Sequence, residues 1–334
     1  MWSEKGIISE IKVARRNVKG EIMDKVWVRV LALVILVCVV ILAGFLPTIV
    51  NSAYQKKTNA EFWDTDGDGS LEILAIGNSF SVDALQYACE IARDLGIKDI
   101  VIGNLYIGGC SLATHLDNAY EDNGAYTYFY NDKGTWKSTA NYKMSTAIKS
   151  RTWDLISLQQ QSNISGIAEV YDRDLEPMID YVKNIINDEN NVNRTPNAKL
   201  AWHMTWAYQQ DSTHTAFANY NNDQMTMYSA IVSAVESEVA TNPNIQIIIP
   251  TGTAVQNSRT SKLGDTTTRD GYHLSLDYGR YLAGLMFIKV VTGLEIDDIT
   301  YKPDGVDEQE KQIAIESVNN AHENPFVITM SQYI

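Results

Sequence analysis

Three residues in this sequence have the types and the spacing that nucleophilic catalysis requires. Ser79 follows the apolar run 72–76, at a point where a strand is expected to turn into a helix. Asp270 and His273 lie three residues apart, close enough for the carboxylate to hydrogen-bond the imidazole. A serine hydroxyl becomes a useful nucleophile when a base accepts its proton, and a carboxylate holds that base in the required tautomer. We therefore predict a catalytic triad of Ser79, His273 and Asp270.

The spacing of this triad differs from the pattern of the α/β-hydrolases. No glycine stands two residues after Ser79, so the segment is not a G-x-S-x-G elbow. Asp270 and His273 also share one short segment, whereas α/β-hydrolases carry them on separate loops. The residues therefore predict acyl transfer on a different scaffold.

The elements that must position the triad alternate between strands and helices. Apolar runs predict five strands, at residues 72–76, 100–106, 155–159, 199–205 and 245–249. Helical spacing predicts helices at residues 82–95, 145–151, 175–186, 224–239, 276–291 and 307–320, and a hairpin is predicted at the rim within an insertion at about 117–143. This order is typical of an α/β protein, here a three-layer α/β/α arrangement with a five-stranded parallel sheet. Ligands bind beyond the carboxyl ends of such strands, where Ser79 lies.

From about residue 72 to residue 293, the chain resembles the SGNH (GDSL-like) hydrolase superfamily. The matching segments are Gly-Asn-Ser-Phe-Ser at 77–81, Asn-Leu-Tyr-Ile-Gly-Gly-Cys-Ser at 104–111 and Asp-Gly-Tyr-His-Leu-Ser at 270–275. Asn78 stands where the first block of the family has aspartate. The pattern is most similar to an exported bacterial branch described only as a domain of unknown function. The resemblance implies a flavodoxin-like SGNH fold and the same triad.

The resemblance also implies an oxyanion hole. In the family, the nucleophile's amide, a glycine amide and an asparagine side chain hold the oxyanion, and these positions fall on Ser79, Gly109 and Asn163. The block that contains the asparagine departs from the family pattern, with Gln161 in place of its glycine. Gln160 is therefore an alternative donor, because the chemistry asks only for an amide N–H.

The segment after the fourth predicted strand contains candidate substrate contacts. Trp206 and Tyr208 have rings that could stack on a sugar, and His203 ends the strand near the site. Packing in the core explains the same residues, so both interpretations stay open at this point.

An Asp-rich segment precedes the first strand. Asp64, Asp66, Asp68 and Ser70 copy the oxygen ligands at positions 1, 3, 5 and 7 of an EF-hand loop, but position 12 is Ala75. The segment is either a structural calcium site completed from elsewhere or an acidic turn. The predicted catalysis itself requires no cofactor.

The N-terminal part of the chain predicts a membrane segment. Residues 1–29 carry seven Lys/Arg and four Asp/Glu, and residues 30–50 carry no charge. Such an apolar run is long enough to span a bilayer, and its basic flank places residues 1–29 in the cytoplasm. We favour an uncleaved anchor over a signal segment, which would leave a secreted protein. Residues 51–71 are then a linker with the Asp-rich loop, and residues 72–334 an exported SGNH hydrolase domain.

The charge of the chain excludes some partners. The whole sequence has a formal net charge of −14, and its basic residues are concentrated before residue 30. An acidic surface repels phosphates, so nucleic acid is excluded as the main partner, and strongly anionic substrates are disfavoured.

The predicted function is an exported serine esterase that removes short acyl groups, chiefly acetyl, from carbohydrate or another small ester. A lipase, thioesterase or acyltransferase on the same triad is an alternative. A second alternative is a catalytically inactive carbohydrate-binding surface protein, because the block that contains Asn163 departs from the family pattern.

Overall fold

The computed structural model describes residues 63–132 and 134–334. The predicted cytoplasmic segment 1–29, the predicted membrane segment 30–50 and the part of the linker before residue 63 lie outside the described residues. Within the described ranges, no helix is both long enough and apolar enough to cross a bilayer.

Seven strands form the central sheet of the described chain. They are β1 (Leu71–Gly77), β2 (Ile100–Tyr106), β3 (Tyr126–Asp132), β4 (Thr135–Tyr142), β5 (Leu155–Leu158), β6 (Lys199–His203) and β7 (Ile247–Ile249). Their order in the sheet is β4-β3-β2-β1-β5-β6-β7, with β3 and β4 antiparallel to their neighbours and the other pairs parallel. The five parallel strands are those predicted from the sequence, but the predicted sheet of five strands is wrong.

The hairpin β3–β4 accounts for the difference. It was expected at the rim, yet β3 pairs with β2 along six residues and so extends the sheet. The free edge of β2 would otherwise expose unpaired backbone N–H and C=O groups. Tyr126 and Tyr128 on alternate positions of β3 are buried, which ties one face of the hairpin to the core.

Helices flank the sheet in a mixed α/β arrangement. They are α1 (Ser79–Leu85), α2 (Ala88–Asp94), α3 (Leu112–Tyr120), α4 (Met144–Lys149), α5 (Glu169–Ile186), α6 (Gln224–Ala234), α7 (Thr251–Arg259), α8 (Tyr278–Thr292) and α9 (Glu308–Glu323). In one group α8 contacts α1, α2, α7 and α9, while α3, α4 and α5 contact one another in a second group. In the sheet, β2 and β5 lie on opposite sides of β1, so the connection from β1 to β2 and the connection from β2 to β5 run in opposite directions across the sheet. Because crossovers between parallel strands are right-handed, the helices of these two connections lie on opposite faces of the sheet.

The central strand β1 determines where the functional site lies. All seven of its residues are buried, as expected for a parallel strand covered on both faces. The order of the strands reverses direction beside β1, which creates a crevice beyond its carboxyl end. Ser79 is the second residue after this strand.

Candidate active site

Ser79 is held at the beginning of α1 by the cap of that helix. The Asn78 side-chain oxygen accepts a hydrogen bond from the amide of Phe80 at 3.0 Å. Such a cap satisfies a free helical amide and fixes the residue at which the helix begins. Ser79 is consequently positioned in the first turn, with its side chain at a cavity.

The three predicted triad residues come together at this cavity. The Oγ atom of Ser79 lies 2.8 Å from Nε2 of His273, although the two residues are 194 positions apart in the chain. Nδ1 of the same ring lies 2.7 Å from Oδ2 of Asp270. A carboxylate partner assigns the proton of the neutral imidazole to Nδ1, which leaves Nε2 free to accept the hydroxyl proton.

Asp270 is fixed by its own turn as well as by the imidazole. Its Oδ1 atom accepts hydrogen bonds from the amides of Tyr272 at 3.2 Å and His273 at 2.8 Å. Burial acts to raise the pKa of this carboxyl, but the hydrogen bonds from the ring and the two amides outweigh it and lower the pKa below its usual value. Asp270 is therefore ionised at neutral pH and can stabilise an imidazolium.

Gly271 is required by the shape of this turn. Its φ is +89°, and a Cβ added there would lie 2.9 Å from Oγ of Ser212. Its carbonyl accepts a hydrogen bond from the amide of Gln209 at 2.8 Å. The close contact between the turn and the segment after β6 fixes the backbone that carries His273.

The cavity has a volume of about 380 Å³ and brings the predicted oxyanion donors together. Gly109 and Asn163 line it with Ser79. Gly109 has a φ of +59°, a left-handed conformation that favours glycine. The Asn163 side chain forms no hydrogen bond among the described residues, and its buried oxygen has no partner there. Its carboxamide is thus uncommitted within the described protein.

Gln160, the alternative oxyanion donor, does not line the cavity. Its side chain is fully buried, and its oxygen accepts hydrogen bonds from the amides of Leu112 at 3.1 Å and Gln161 at 2.9 Å. Gln161 lines the cavity instead. Neighbouring residues in extended backbone point to opposite sides, so only one of the two can face the site.

The two aromatic residues predicted to contact substrate occupy different places. Tyr208 lines the cavity, and its hydroxyl lies 3.0 Å from Oγ of Ser162. Trp206 is fully buried outside the cavity lining: its ring stacks on Phe80 at 4.0 Å, and its Nε1 donates to the carbonyl of Tyr272 at 2.7 Å. Trp206 therefore packs beneath the triad segment, in contact with Phe80 and Tyr272.

His203 also lies outside the cavity lining. It is buried at the end of β6, and burial lowers its pKa to about 3. Its Nε2 is 3.0 Å from Oγ1 of Thr251, and its Nδ1 is 3.3 Å from Oε1 of Gln159. Gln159 donates to Asn78 at 2.8 Å, and Asn78 donates to the carbonyl of Cys110 at 3.0 Å. This chain of polar groups connects the loops that form the site.

Several residues that line the cavity were missed by the sequence analysis. They are Tyr106, Gln161, Ser162, His214, Arg269 and Tyr272. Most follow a predicted strand or adjoin the Asp-x-x-His segment, so their position along the chain was the available clue. Their types alone do not separate a cavity wall from a solvent-exposed loop.

A buried carboxylate connects the nucleophile's helix to the segment that carries the base. Asp83 lies one turn after Ser79 and is fully buried. Its oxygens accept hydrogen bonds from Nη1 of Arg269 at 3.1 Å, from Nε of Arg280 at 2.8 Å and from the amide of Leu274 at 3.0 Å. Sequence spacing could not identify this contact, because 191 positions separate Asp83 from Leu274.

The Asp-rich loop lies far from this site. Ligand oxygens of Asp64, Asp66 and Asp68 are all within 4.8 Å of one another, and the Ser70 hydroxyl donates to Asp68 at 2.6 Å. The loop precedes β1 and the triad follows it, so about seven residues of strand, roughly 20 Å, separate them. The carboxylates fit a hard cation such as calcium in type, but such an ion would not take part in catalysis.

The loop is attached to the sheet through Asp154. This buried carboxylate precedes β5 and accepts hydrogen bonds from the amide and hydroxyl of Thr65, at 2.6 and 2.7 Å, and from the amide of Glu72 at 2.8 Å. Asp154 therefore makes a structural contact at the edge of the sheet opposite the triad.

The fold and the site define a mixed α/β protein with a Ser-His-Asp arrangement at the carboxyl edge of its sheet. Residues 72–322 match the family model described as "Domain of unknown function (DUF4886)". Because this match covers more than half of the chain, the protein belongs to that family.

A solved structure from the same family is similar to this chain. A DUF4886 family protein from Bacteroides uniformis ATCC 8492 is 39% identical, with a TM-score of 0.73 over 78% of this chain and 97% of that chain. A protein from Slackia heliotrinireducens named "a putative SGNH hydrolase" is 16% identical, with a TM-score of 0.41 over 66% of this chain and 97% of that one. No curated protein sequence matches this chain. The predicted membership in a family of unknown function is confirmed, and the wider SGNH assignment stays a prediction.

Proposed function

We propose that this protein is a serine esterase of the SGNH type that removes short acyl groups by an acyl-enzyme mechanism. The observation that supports it best is the continuous contact from Ser79 Oγ through His273 to Asp270, with distances of 2.8 and 2.7 Å. Both distances are within the range that proton transfer requires.

The first half of the reaction acylates the enzyme. Ser79 Oγ attacks the ester carbonyl while Nε2 of His273 takes the hydroxyl proton, and Asp270 stabilises the resulting imidazolium. The tetrahedral intermediate collapses as His273 returns this proton to the departing alcohol oxygen. The products of this half are an acyl-serine and a free alcohol.

The second half regenerates the enzyme. Water gives a proton to His273 and attacks the acyl-serine, and the proton then returns to Ser79 as the carboxylic acid leaves. In both halves the amides of Ser79 and Gly109 and the side chain of Asn163 would donate to the oxyanion. Loss of one such donor typically costs about 3 kcal/mol of transition-state stabilisation.

The cavity supports a small and polar substrate. Its volume of about 380 Å³ is near the lower end for ligand sites, and its lining includes hydroxyl, amide and imidazole groups. We infer a short acyl group, chiefly acetyl, on a carbohydrate or a similar small alcohol. The apolar segment 30–50 supports export with an anchor in the membrane, or secretion if it is cleaved.

Hydrolysis of p-nitrophenyl acetate, butyrate and octanoate by residues 54–334 tests the proposal. We expect turnover of the acetate that Ser79→Ala and His273→Ala abolish, with Ser81→Ala as a control that removes a nearby hydroxyl outside the triad. Preference for octanoate would favour a lipase. Turnover that persists unchanged in Ser79→Ala would contradict the assigned nucleophile, and no turnover would favour the inactive binding protein.

A further inference from the structure

The charge of the cavity lining is opposite to the charge of the protein. The whole chain has a formal net charge of −14, yet the residues that line the cavity within the described ranges 63–132 and 134–334 include no Asp or Glu. Arg269 is the one permanently charged residue among them. Because salt screens exposed charges beyond about 10 Å, a substrate in the cavity interacts mainly with Arg269 and not with the acidic surface.

The guanidinium of Arg269 is held by one of its nitrogens and leaves an edge open. Nη1 donates to both oxygens of Asp83 at 3.1 Å and to the carbonyl of Leu274. Nε and Nη2 form no hydrogen bond with any residue that the structure describes, and the side chain is 31% exposed. These two nitrogens form one edge of the guanidinium, and such an edge binds a carboxylate through two parallel hydrogen bonds.

Asp83 does not cancel the positive charge of Arg269. The same carboxylate also binds Arg280, at 2.8 Å, so one negative charge is shared between two cations. Asp270, the nearest carboxylate along the chain, is committed to His273 and does not line the cavity. The group formed by Asp83, Arg269 and Arg280 therefore keeps a net positive charge beside the triad.

Resting on the proposed esterase function, we propose that Arg269 binds a carboxylate on the alcohol portion of the substrate. The acyl portion is short and carries no charge, so the anion belongs to the alcohol, as in an acylated sugar acid. The net negative charge of the whole protein disfavours anionic substrates at its outer surface, but the lining of this cavity has a positive charge at Arg269.

Three pairs of esters test this proposal: 2-, 3- and 4-acetoxybenzoate, each compared with its methyl ester. The measured quantity is the ratio of kcat/KM for the acid to kcat/KM for its methyl ester, in which general effects on folding or on the triad cancel. A bidentate charge-assisted contact predicts that Arg269→Gln lowers this ratio roughly tenfold or more for at least one pair. Arg269→Lys keeps the positive charge but removes the pair of parallel N–H donors, so we expect a ratio between those of the parent and of Arg269→Gln.

Arg280→Gln is the matched control, because it removes the other cation from Asp83 without changing the cavity lining. We expect the ratio to fall by less in this variant than in Arg269→Gln, because the net positive charge of the group is lost while the open edge of the Arg269 guanidinium remains. Raising the ionic strength is expected to lower the parental ratio and to leave that of Arg269→Gln unchanged.

The outcomes separate this inference from the proposed function. Turnover of the esters with the same ratio in the parent and in Arg269→Gln would overturn the anion site and leave the esterase standing. An equal fall of the ratio in Arg280→Gln would assign the effect to Asp83 and would also overturn it. Absence of turnover on all six esters would contradict the esterase function and this inference together.

Discussion

Replacing Asp83 with asparagine tests whether a buried carboxylate outside the triad positions the catalytic base. Asp83 joins α1, which begins with Ser79, to Arg269 and Leu274 in the segment that carries His273. Asparagine has nearly the same shape but no charge, and only one of its two polar atoms accepts hydrogen bonds. The change therefore weakens the hydrogen bonds that connect α1 to the segment of His273, without creating a large cavity.

The contacts of Asp83 give the size of the expected effect. Removing one partner of a buried ion pair costs about 3–5 kcal/mol. Arg269 and Arg280 are 31% and 17% exposed, so water screens part of the loss and about 2–3 kcal/mol is expected. In a domain of this size, each kcal/mol lowers Tm by about 2–4 °C, which predicts a fall of about 4–12 °C. A shift of about 1 Å in His273 would lower kcat on the order of 100-fold.

The assay compares Asp83→Asn with Asp154→Asn on the neutral ester p-nitrophenyl acetate. Asp154 is also buried and accepts three hydrogen bonds, but at the opposite edge of the sheet. We expect both variants to lose thermal stability and only Asp83→Asn to lose kcat, with little change in KM. If kcat falls no further in Asp83→Asn than in Asp154→Asn, the carboxylate is structural and the reasoning is refuted.

Two predictions concern stability away from the triad. Calcium is expected to raise the Tm of the parent by several degrees, to leave the Tm of Asp68→Asn unchanged, and to leave turnover unchanged in both. If the parent has the same Tm in calcium and in EGTA, the Asp-rich loop is an acidic turn and not a calcium site. Burial lowers the pKa of His203 to about 3. Because the unfolded state takes up this proton near pH 6.5 and the folded state does not, stability falls on acidification by about 1.4 kcal/mol per pH unit. Urea unfolding at pH 7 and pH 5 should show a smaller fall in His203→Gln than in the parent; equal falls would contradict it.

The parallel part of the sheet could be predicted because buried parallel strands are nearly continuous apolar runs. The predicted run 100–106 coincides with β2, and 72–76 lies within β1 (Leu71–Gly77). The hairpin was also expected, but not its pairing with β2, because local sequence does not specify which edge a hairpin joins. Pairing is decided by burial of one face, here through Tyr126 and Tyr128.

The helices that sequence analysis missed have weak local preferences. Thr251–Arg259 forms α7 although its sequence, TGTAVQNSR, is rich in residues with low helix propensity. All nine of its residues are buried, so tertiary packing and not propensity holds this helix. The predicted helix 82–95 is divided into α1 and α2, and α1 begins at Ser79 because Asn78 supplies the cap.

The meeting of Ser79, His273 and Asp270 could be predicted because nucleophilic catalysis requires particular residue types in a short pattern, whereas the wall of the cavity could not be predicted. His203 ends β6 and Trp206 follows it, where substrate-binding residues often lie, yet the structure buries both outside the cavity lining. Gln160 and Gln161 are chemically alike, and only the direction of the backbone decides which one faces the cavity. The direction of a side chain at the end of a strand depends on tertiary contacts, which cannot be read from the spacing of residues along the sequence.

One network of buried polar groups surrounds the beginning of α1. The Asn78 side chain both accepts a hydrogen bond from Gln159 and donates one to the carbonyl of Cys110, whereas a carboxylate at this position could only accept. Gln159 uses its remaining oxygen for His203. This chain of hydrogen bonds links Asn78, Gln159 and His203 with the loop that contains Cys110. Such a network makes the loops around Ser79 rigid, which is what an oxyanion site requires.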